Sequence, residues 1–226
     1  WSFRIKVSGD NAYQGLKSFS IQSPHTRSFL HEWFMHQVYL REGVLTTRYE
    51  FVPVIVNGKQ MGVYALEEHF DKQLVEDKGK REGPIIKFNE EGVWETRIGN
   101  PDGYHSLPYF AAAEVVPFKN NRTMKSAVLK NHFKTAQSLL LRHKSFDNNI
   151  DELFDLDRLA KFYALTDLAN TDHALIWHNL RFYYNPVSRK LEPIAYDCYP
   201  EKVEMSANQP IFGYSKDKTV FPDFRF

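Results

Sequence analysis

Phe51-Val52-Pro53-Val54-Ile55-Val56, then Asn57-Gly58-Lys59-Gln60, then Met61-Gly62-Val63-Tyr64-Ala65-Leu66-Glu67-Glu68 is the stretch on which the fold turns. Two apolar runs rich in β-branched residues flank Asn57-Gly58, a dipeptide suited to a two-residue turn with positive backbone angles. The spacing predicts an antiparallel hairpin. Upstream, Phe3-Arg4-Ile5-Lys6-Val7 alternates apolar and basic side chains, as a strand with one buried face does, which sets Arg4 and Lys6 on the open face. A turn at Ser8-Gly9-Asp10-Asn11 and a second strand over residues 17–22 complete a meander. Ser23-Pro24 ends that strand, and from about residue 26 Leu30, Trp33, Phe34 and Val38 recur at helical spacing until Gly43. This predicts an amphipathic helix whose apolar stripe is those four residues.

Downstream of the hairpin, a charged stretch over residues 67–81 leads into a short strand over 84–88. Between residues 90 and 108, Gly, Asn and Asp are frequent and periodicity fails, so the reading is irregular surface structure with the composition of a lid. Helices are predicted over 123–143, carried by Met124, Val128, His132, Ala136, Leu139 and Leu140, and over 156–170, carried by Leu159, Ala160, Tyr163 and Leu168. A polar loop follows, then a strand over 181–184, a turn at Asn185-Pro186-Val187-Ser188 and a strand over 191–196 that Asp197 closes.

Composition bounds the function classes. The 226 residues carry 29 Lys plus Arg against 28 Asp plus Glu, a net charge of +1, which argues against broad phosphate neutralisation on nucleic acid. One cysteine, Cys198, excludes an internal disulfide framework and any multi-cysteine metal cluster. No apolar run approaches the roughly 20 residues that span a bilayer, so no transmembrane segment is expected. The length suits one large domain or two lobes sharing a cleft. Trp1 falls within a strand-like run and Phe226 follows no stop signal, so the chain reads as part of a longer one, with any targeting peptide out of view.

Asp172-His173-Ala174-Leu175-Ile176-Trp177-His178-Asn179 is the richest stretch, and Asp197 follows it after a hairpin. Phosphoryl transfer needs one carboxylate for the acceptor hydroxyl, plus an amide and a second carboxylate to hold a hard cation against the phosphates. Asp172, Asn179 and Asp197 supply those groups in that order. By spacing alone, Asp172 reads as a loop cap, Asn179 as a turn amide and Asp197 as a strand terminator. Trp177, an aromatic inside the loop, is a candidate for stacking on a purine. Lys6 on its strand and Glu32 on the next helix match the lysine–glutamate pair that orients nucleotide phosphates in kinases, an arrangement also common as a surface ion pair. Zinc is not supported on the first helix, since His31 and His36 stand roughly 140 degrees apart at about 100 degrees per residue. A metal role for His173 and His178, likewise five apart, is left as a minor alternative. Cys198, beside Asp197, reads as a packed thiol, because a carboxylate neighbour disfavours thiolate. No nucleophile elbow, Walker loop or dinucleotide fingerprint is present.

These residues together resemble the CotH family of spore-coat and secreted bacterial proteins, which are atypical protein kinases. Three segments carry the resemblance, which spans nearly the whole chain. They are Ser2-Phe3-Arg4-Ile5-Lys6-Val7; Val56-Asn57-Gly58 through Gly62-Val63-Tyr64-Ala65-Leu66-Glu67-Glu68 to Asp71; and Asp172 through Asn179 to Pro193-Ile194-Ala195-Tyr196-Asp197. The resemblance implies an α+β, kinase-like two-lobed fold, with a β-rich smaller lobe over residues 1–80 and a larger, more helical lobe over 81–226. It implies ATP with Mg2+ or Mn2+, transfer of phosphate to serines of a serine-rich partner protein, and a spore-coat, secreted or envelope setting. Carried over by residue, Lys6 touches the nucleotide phosphates with Lys87 as its competitor, Glu68 helps form the nucleotide cleft, Asp172 serves the acceptor, and Asn179 with Asp197 holds metal. Where the family commonly has a second acid after Asp197, this chain has Tyr199, with Glu201 as the nearest substitute. That departure sustains a rival reading, a non-catalytic pseudokinase-like coat or envelope protein acting through protein contacts.

Overall fold

The computed structural model describes residues 2–97 and 107–199. Strands β1 (Ser2–Lys6) and β2 (Ser18–Gln22) come first, then helix α1 (Leu30–Arg41) and strands β3 (Leu45–Thr46), β4 (Tyr49–Val56) and β5 (Lys59–Glu68). Four of these strands form an antiparallel sheet in the order β1-β2-β5-β4. Asn57 and Gly58 turn the central hairpin with φ of 50° and 77°, the left-handed conformations their side chains tolerate best. One face of the sheet buries Leu16, Phe19, Ile21, Tyr64 and Leu66, and Phe3, Ile5, Val52 and Val54 pack against them.

Helix α1 forms where the periodicity places it but turns a different face inward. Glu32, Met35, His36 and Tyr39 are buried, whereas Leu30 is 64% and Phe34 57% exposed. Partners outside the helix decide this. The His36 ring lies 2.9 Å from Glu32, hydrogen-bonds Thr46 on its other nitrogen, and stacks on Tyr49 at 5.3 Å. One turn further on, the Tyr39 hydroxyl is 2.7 Å from that of Thr166.

The chain continues through α2 (Lys72–Glu76), β6 (Ile85–Phe88), α3 (Glu91–Arg97), α4 (Leu107–Ala112) and β7 (Val115–Pro117). Helices α5 (Asn120–Lys125), α6 (Ala127–Lys144), α7 (Ile150–Leu153) and α8 (Leu156–Ala169) follow, and the hairpin β8 (Arg181–Asn185) with β9 (Lys190–Ala195) completes the described elements. A second sheet takes the order β3-β9-β8-β6-β7, antiparallel except for β3 on β9. Its core joins Phe88, Phe154, Phe182 and Leu191 to Phe133, Ala136 and Leu140 of α6 and Leu159 and Phe162 of α8. β3 belongs to this sheet, and Leu74 and Val75 of α2 pack on its Ile85, Tyr183 and Ile194. The second sheet therefore draws on residues from both sides of position 80. The architecture is mixed α and β and compatible with the α+β class.

Three expectations need correction. The stretch read as irregular begins and ends in helix, because Val93 of α3 and Phe110 of α4 are drawn into the core; residues 98–106, the remainder of the supposed lid, lie outside the described residues. The helix read over 123–143 is two helices, broken at extended Ser126, whose side chain accepts a hydrogen bond from the Leu129 amide as an N-cap. Met124, Val128 and Leu168, read as core-facing, are 39%, 62% and 71% exposed. Strand β7 went unread, being three residues long and ended by Pro117.

Phe162→Ala should cost about 3–5 kcal/mol, since the ring is fully packed and leaves a cavity, while Leu168→Ala should stay within about 0.5 kcal/mol; urea denaturation of both variants checks the contrast. Burial holds His69 and His143 at pKa values of about 4. The unfolded chain binds their protons first as pH falls from about 6.5, so stability present above that value is lost progressively toward pH 4. His143→Leu should flatten the slope of denaturation midpoint against pH over that window.

Candidate functional site

The polar loop after α8 is held at both ends. Asn170 closes α8 in the left-handed conformation, a short 3-10 turn spans Asp172–Leu175, and β8 starts at Arg181. The β8–β9 hairpin then returns the chain, so that Tyr196, Asp197, Cys198 and Tyr199 come back beside the loop. Asp197 has a φ of 60°, an uncommon value for a residue with a side chain.

His173 joins the two parts of the sequence motif. Its Nε2 is 3.1 Å from Asp197 Oδ2 and 3.1 Å from the Tyr199 hydroxyl, and its carbonyl accepts a 2.9 Å hydrogen bond from Asn179 Nδ2. Asn179 Oδ1 lies 3.2 Å from His178 Nδ1. The other oxygen of Asp197 is in contact with the guanidinium of Arg27, which closes the 3-10 turn Pro24–Arg27 before α1. Arg27 also lies over the rings of Tyr196 and Tyr199, at 5.4 and 5.5 Å. Burial alone lowers its pKa, but the charges of Glu67, Tyr196 and Glu32 outweigh that and raise it above the ordinary arginine value.

A second polar group sits on the other side of the loop. Lys87 Nζ of β6 is 2.5 Å from Glu90 Oε1, and the same carboxylate reaches Arg181 at 3.6 Å and His178 at 4.0 Å. Arg181 is 5% exposed, yet its guanidinium faces the rings of Phe70, Phe118 and Tyr196 at 5.7, 5.4 and 5.3 Å and donates to the carbonyls of His178 and Leu180. Burial pulls its pKa down, with Glu90, Tyr196 and Glu67 opposing. Tyr196 thus stands between two guanidinium groups. Glu67, at the end of β5, faces the same region; burial raises its pKa and Arg27 opposes the rise.

The sequence candidates divide accordingly. Asn179 and Asp197 are bound to the same residue, His173, with Asp172 its neighbour in the chain, and Lys87 reaches them through Glu90 and His178. Lys6 is exposed on β1, opposite Ser18, and is not the partner of Glu32, which is buried against His36. Glu68 is buried and accepts from the Arg48 amide at 3.0 Å, tying the end of β5 to the start of β4. Trp177 is 0% exposed, packed against Phe110 at 5.9 Å and Phe88 at 6.5 Å, so it has no ring face for a purine. The apolar pull of this core outweighs the polar character of the loop around it. Trp94 of α3, 40% exposed, meets the His178 ring at 5.4 Å and is the open aromatic on this side.

Arg27, Glu67, Glu90 and Arg181 were missed as members of the site, and His173, weighed only as a metal ligand, instead joins Asn179 and Asp197. Arg181 carried a signal, a cation heading the apolar run Phe182-Tyr183-Tyr184 on a buried strand. Arg27 carried none, since an arginine in a turn is ordinary. Cys198 is fully buried and burial pushes its thiol pKa up, in keeping with a packed role. As placed, the donors do not fit a divalent cation. Both Asp197 oxygens are engaged, Asn179 Oδ1 faces His178, Tyr199 replaces an acid, Glu201 lies outside the described residues, and no group of three or more His, Cys, Asp or Glu able to hold a metal occurs among the described residues. No helix among the described residues is long and apolar enough to cross a membrane.

A family model described as CotH kinase protein matches residues 1–199 of the 226. No curated protein matches the sequence.

Arg181→Ala should destabilise the fold by about 3–5 kcal/mol, because it removes one partner of a buried ion pair and leaves two carbonyls unsatisfied. Lys87→Ala, at a half-buried surface pair, should cost about 1 kcal/mol or less. Chemical denaturation of the two variants measures the difference.

Proposed function

Because the chain belongs to the CotH kinase family, we propose that it transfers the terminal phosphoryl group of ATP to serine hydroxyls of a partner protein. The observation that carries this reading is the convergence of Asn179 and Asp197 on His173, beside Asp172, with Lys87 connected through Glu90 and His178. Asp172 orients the acceptor hydroxyl and takes its proton, and Lys87 neutralises phosphate charge. Asn179 and Asp197 set the polar floor on which the phosphates rest. Such catalysis works by positioning and charge neutralisation more than by covalent chemistry. ATP with Mg2+ or Mn2+ is the family's expectation, and it comes with a two-lobed kinase-like arrangement, residues 1–80 forming the smaller lobe and residues 81–226 the larger. A serine-rich acceptor and a bacterial spore-coat, secreted or envelope setting are part of the same proposal.

A second reading has its own support. Tyr199 at the position of an acid and Arg27 against Asp197 favour a non-catalytic coat or envelope protein that acts through protein contacts.

Incubation with labelled ATP, Mg2+ or Mn2+ and a serine-rich acceptor separates the two. Label on the acceptor, reduced about 100-fold or more in Asp172→Asn, is the expected result, since loss of a general base costs about 10²–10⁴ in rate. Nucleotide-dependent thermal stabilisation with no transfer to any acceptor supports the second reading and overturns the first.

A further inference from the structure

Helix α1 leaves an apolar face uncovered. Its inward side, Glu32, Met35, His36 and Tyr39, is fixed by Thr46, Tyr49 and Thr166. The outward side carries Leu30, Trp33 and Phe34, at the i, i+3, i+4 spacing that sets side chains on one helix face. With Phe29, the residue before the helix, these four are 38–64% exposed. Large aromatic side chains bury about 150–250 Å² each, so the four leave open an apolar surface on the order of 400 Å², the size of patch that on a monomer is often a contact site.

The backbone gives a second sign. Ser28 and Phe29 take φ of 53° and 57°, conformations that cost energy in a residue with a side chain, and most in a bulky one. Burial within the chain does not offset that cost for Phe29, whose ring meets His25 edge-on at 5.5 Å and is otherwise largely in solvent. A partner that covers the ring does.

The chemistry of the face selects the occupant. Of Lys and Arg, α1 carries Arg41 alone, at its last turn, whereas a helix that seeks a lipid surface is rich in both. None of the four side chains is charged, exposed Gln37 continues their line, and Glu32 is turned inward, so a charged partner finds no complement at the centre of the face. A second copy of the chain does find one. In a two-fold contact each residue near the axis meets its own kind, and a face without central charge escapes like-charge repulsion there. The net charge of +1 adds little repulsion at longer range. Two α1 helices running antiparallel set Leu30 of each against Phe34 of the other, with their dipoles opposed. Area agrees: a stable homodimer buries about 800 Å² per partner, roughly 500 Å² of it apolar, and the four residues supply most of that.

We propose that α1 is a self-association surface, through which two copies of this chain pair by the Phe29, Leu30, Trp33 and Phe34 faces of antiparallel helices. This goes beyond the kinase reading and does not depend on it.

Sedimentation velocity of the full chain over about 1–100 µM tests it, and the parent should form a reversible dimer in that range. Phe34→Glu and Leu30→Glu, each entering the contact twice, should weaken the dimer about 30-fold or more. Leu168→Glu, equally exposed but on α8, should leave it unchanged. All three positions face solvent in the single chain, so the variants keep the fold, which circular dichroism confirms; were Phe34→Glu unfolded, Leu30→Glu decides. A photocrosslinker at position 34 should join two copies through their α1 helices. A parent monomeric throughout, a dimer unweakened by the folded α1 variants, or one weakened equally by Leu168→Glu overturns the proposal. So does a crosslink from position 34 to residues 200–226 of the same copy, or binding of a monomeric parent to anionic vesicles that Phe34→Glu abolishes, since each gives the face to another occupant.

Discussion

A buried polar seam organises the molecule. It runs from Glu32 through His36 to Thr46, whose hydroxyl also donates to the Ala195 carbonyl at 3.2 Å, two residues before Asp197. Every member is at most 2% exposed, so each must be satisfied by another protein group or leave a buried polar atom unpaired. That requirement turns the polar side of α1 inward, brings β3 alongside β9, and sets the Arg27 turn against the end of β9. The seam is one of the ties that set the first sheet against the candidate site.

The loop that carries Asp172 and Asn179 depends on a second buried acid. Glu192 of β9 is 0% exposed and is met by Lys80 at 2.7 Å, Asn185 at 2.7 Å and Arg158 at 3.3 Å. Asn185 ends β8, and Arg158 lies in the first turn of α8. One carboxylate thereby ties the start of the helix before the loop to the hairpin after it. A buried acid with three donors is a geometric constraint more than a source of net stability, because desolvation offsets most of the Coulomb gain. Its effect is to fix where the loop's two ends stand.

The same logic governs the site itself. Arg27 and Arg181 flank Tyr196, and Glu67, Glu90 and Asp197 answer their charge. Aromatic faces lower the cost of holding guanidinium groups away from water.

What the sequence by itself determined was local. Asn57-Gly58 specified its hairpin because two positive φ angles demand those residues, and the β8–β9 hairpin was legible from alternation interrupted by one turn. The order Asp172, Asn179, Asp197 suggested chemistry only through the family resemblance, because by spacing alone each residue reads as a loop cap, a turn amide or a strand terminator. Tertiary structure decided the rest. The inward face of α1 lay beyond reach, since its apolar stripe and its Glu32-Met35-His36-Tyr39 stripe are both helical in spacing and only Thr46, Tyr49 and Thr166 choose between them. Trp177 was decided by the volume open beside Phe88 and Phe110, which no spacing in its loop encodes. Arg27 became part of the site through a contact across 170 positions of chain with Asp197, and electrostatic pairing over that separation exists only once the intervening sheets have packed.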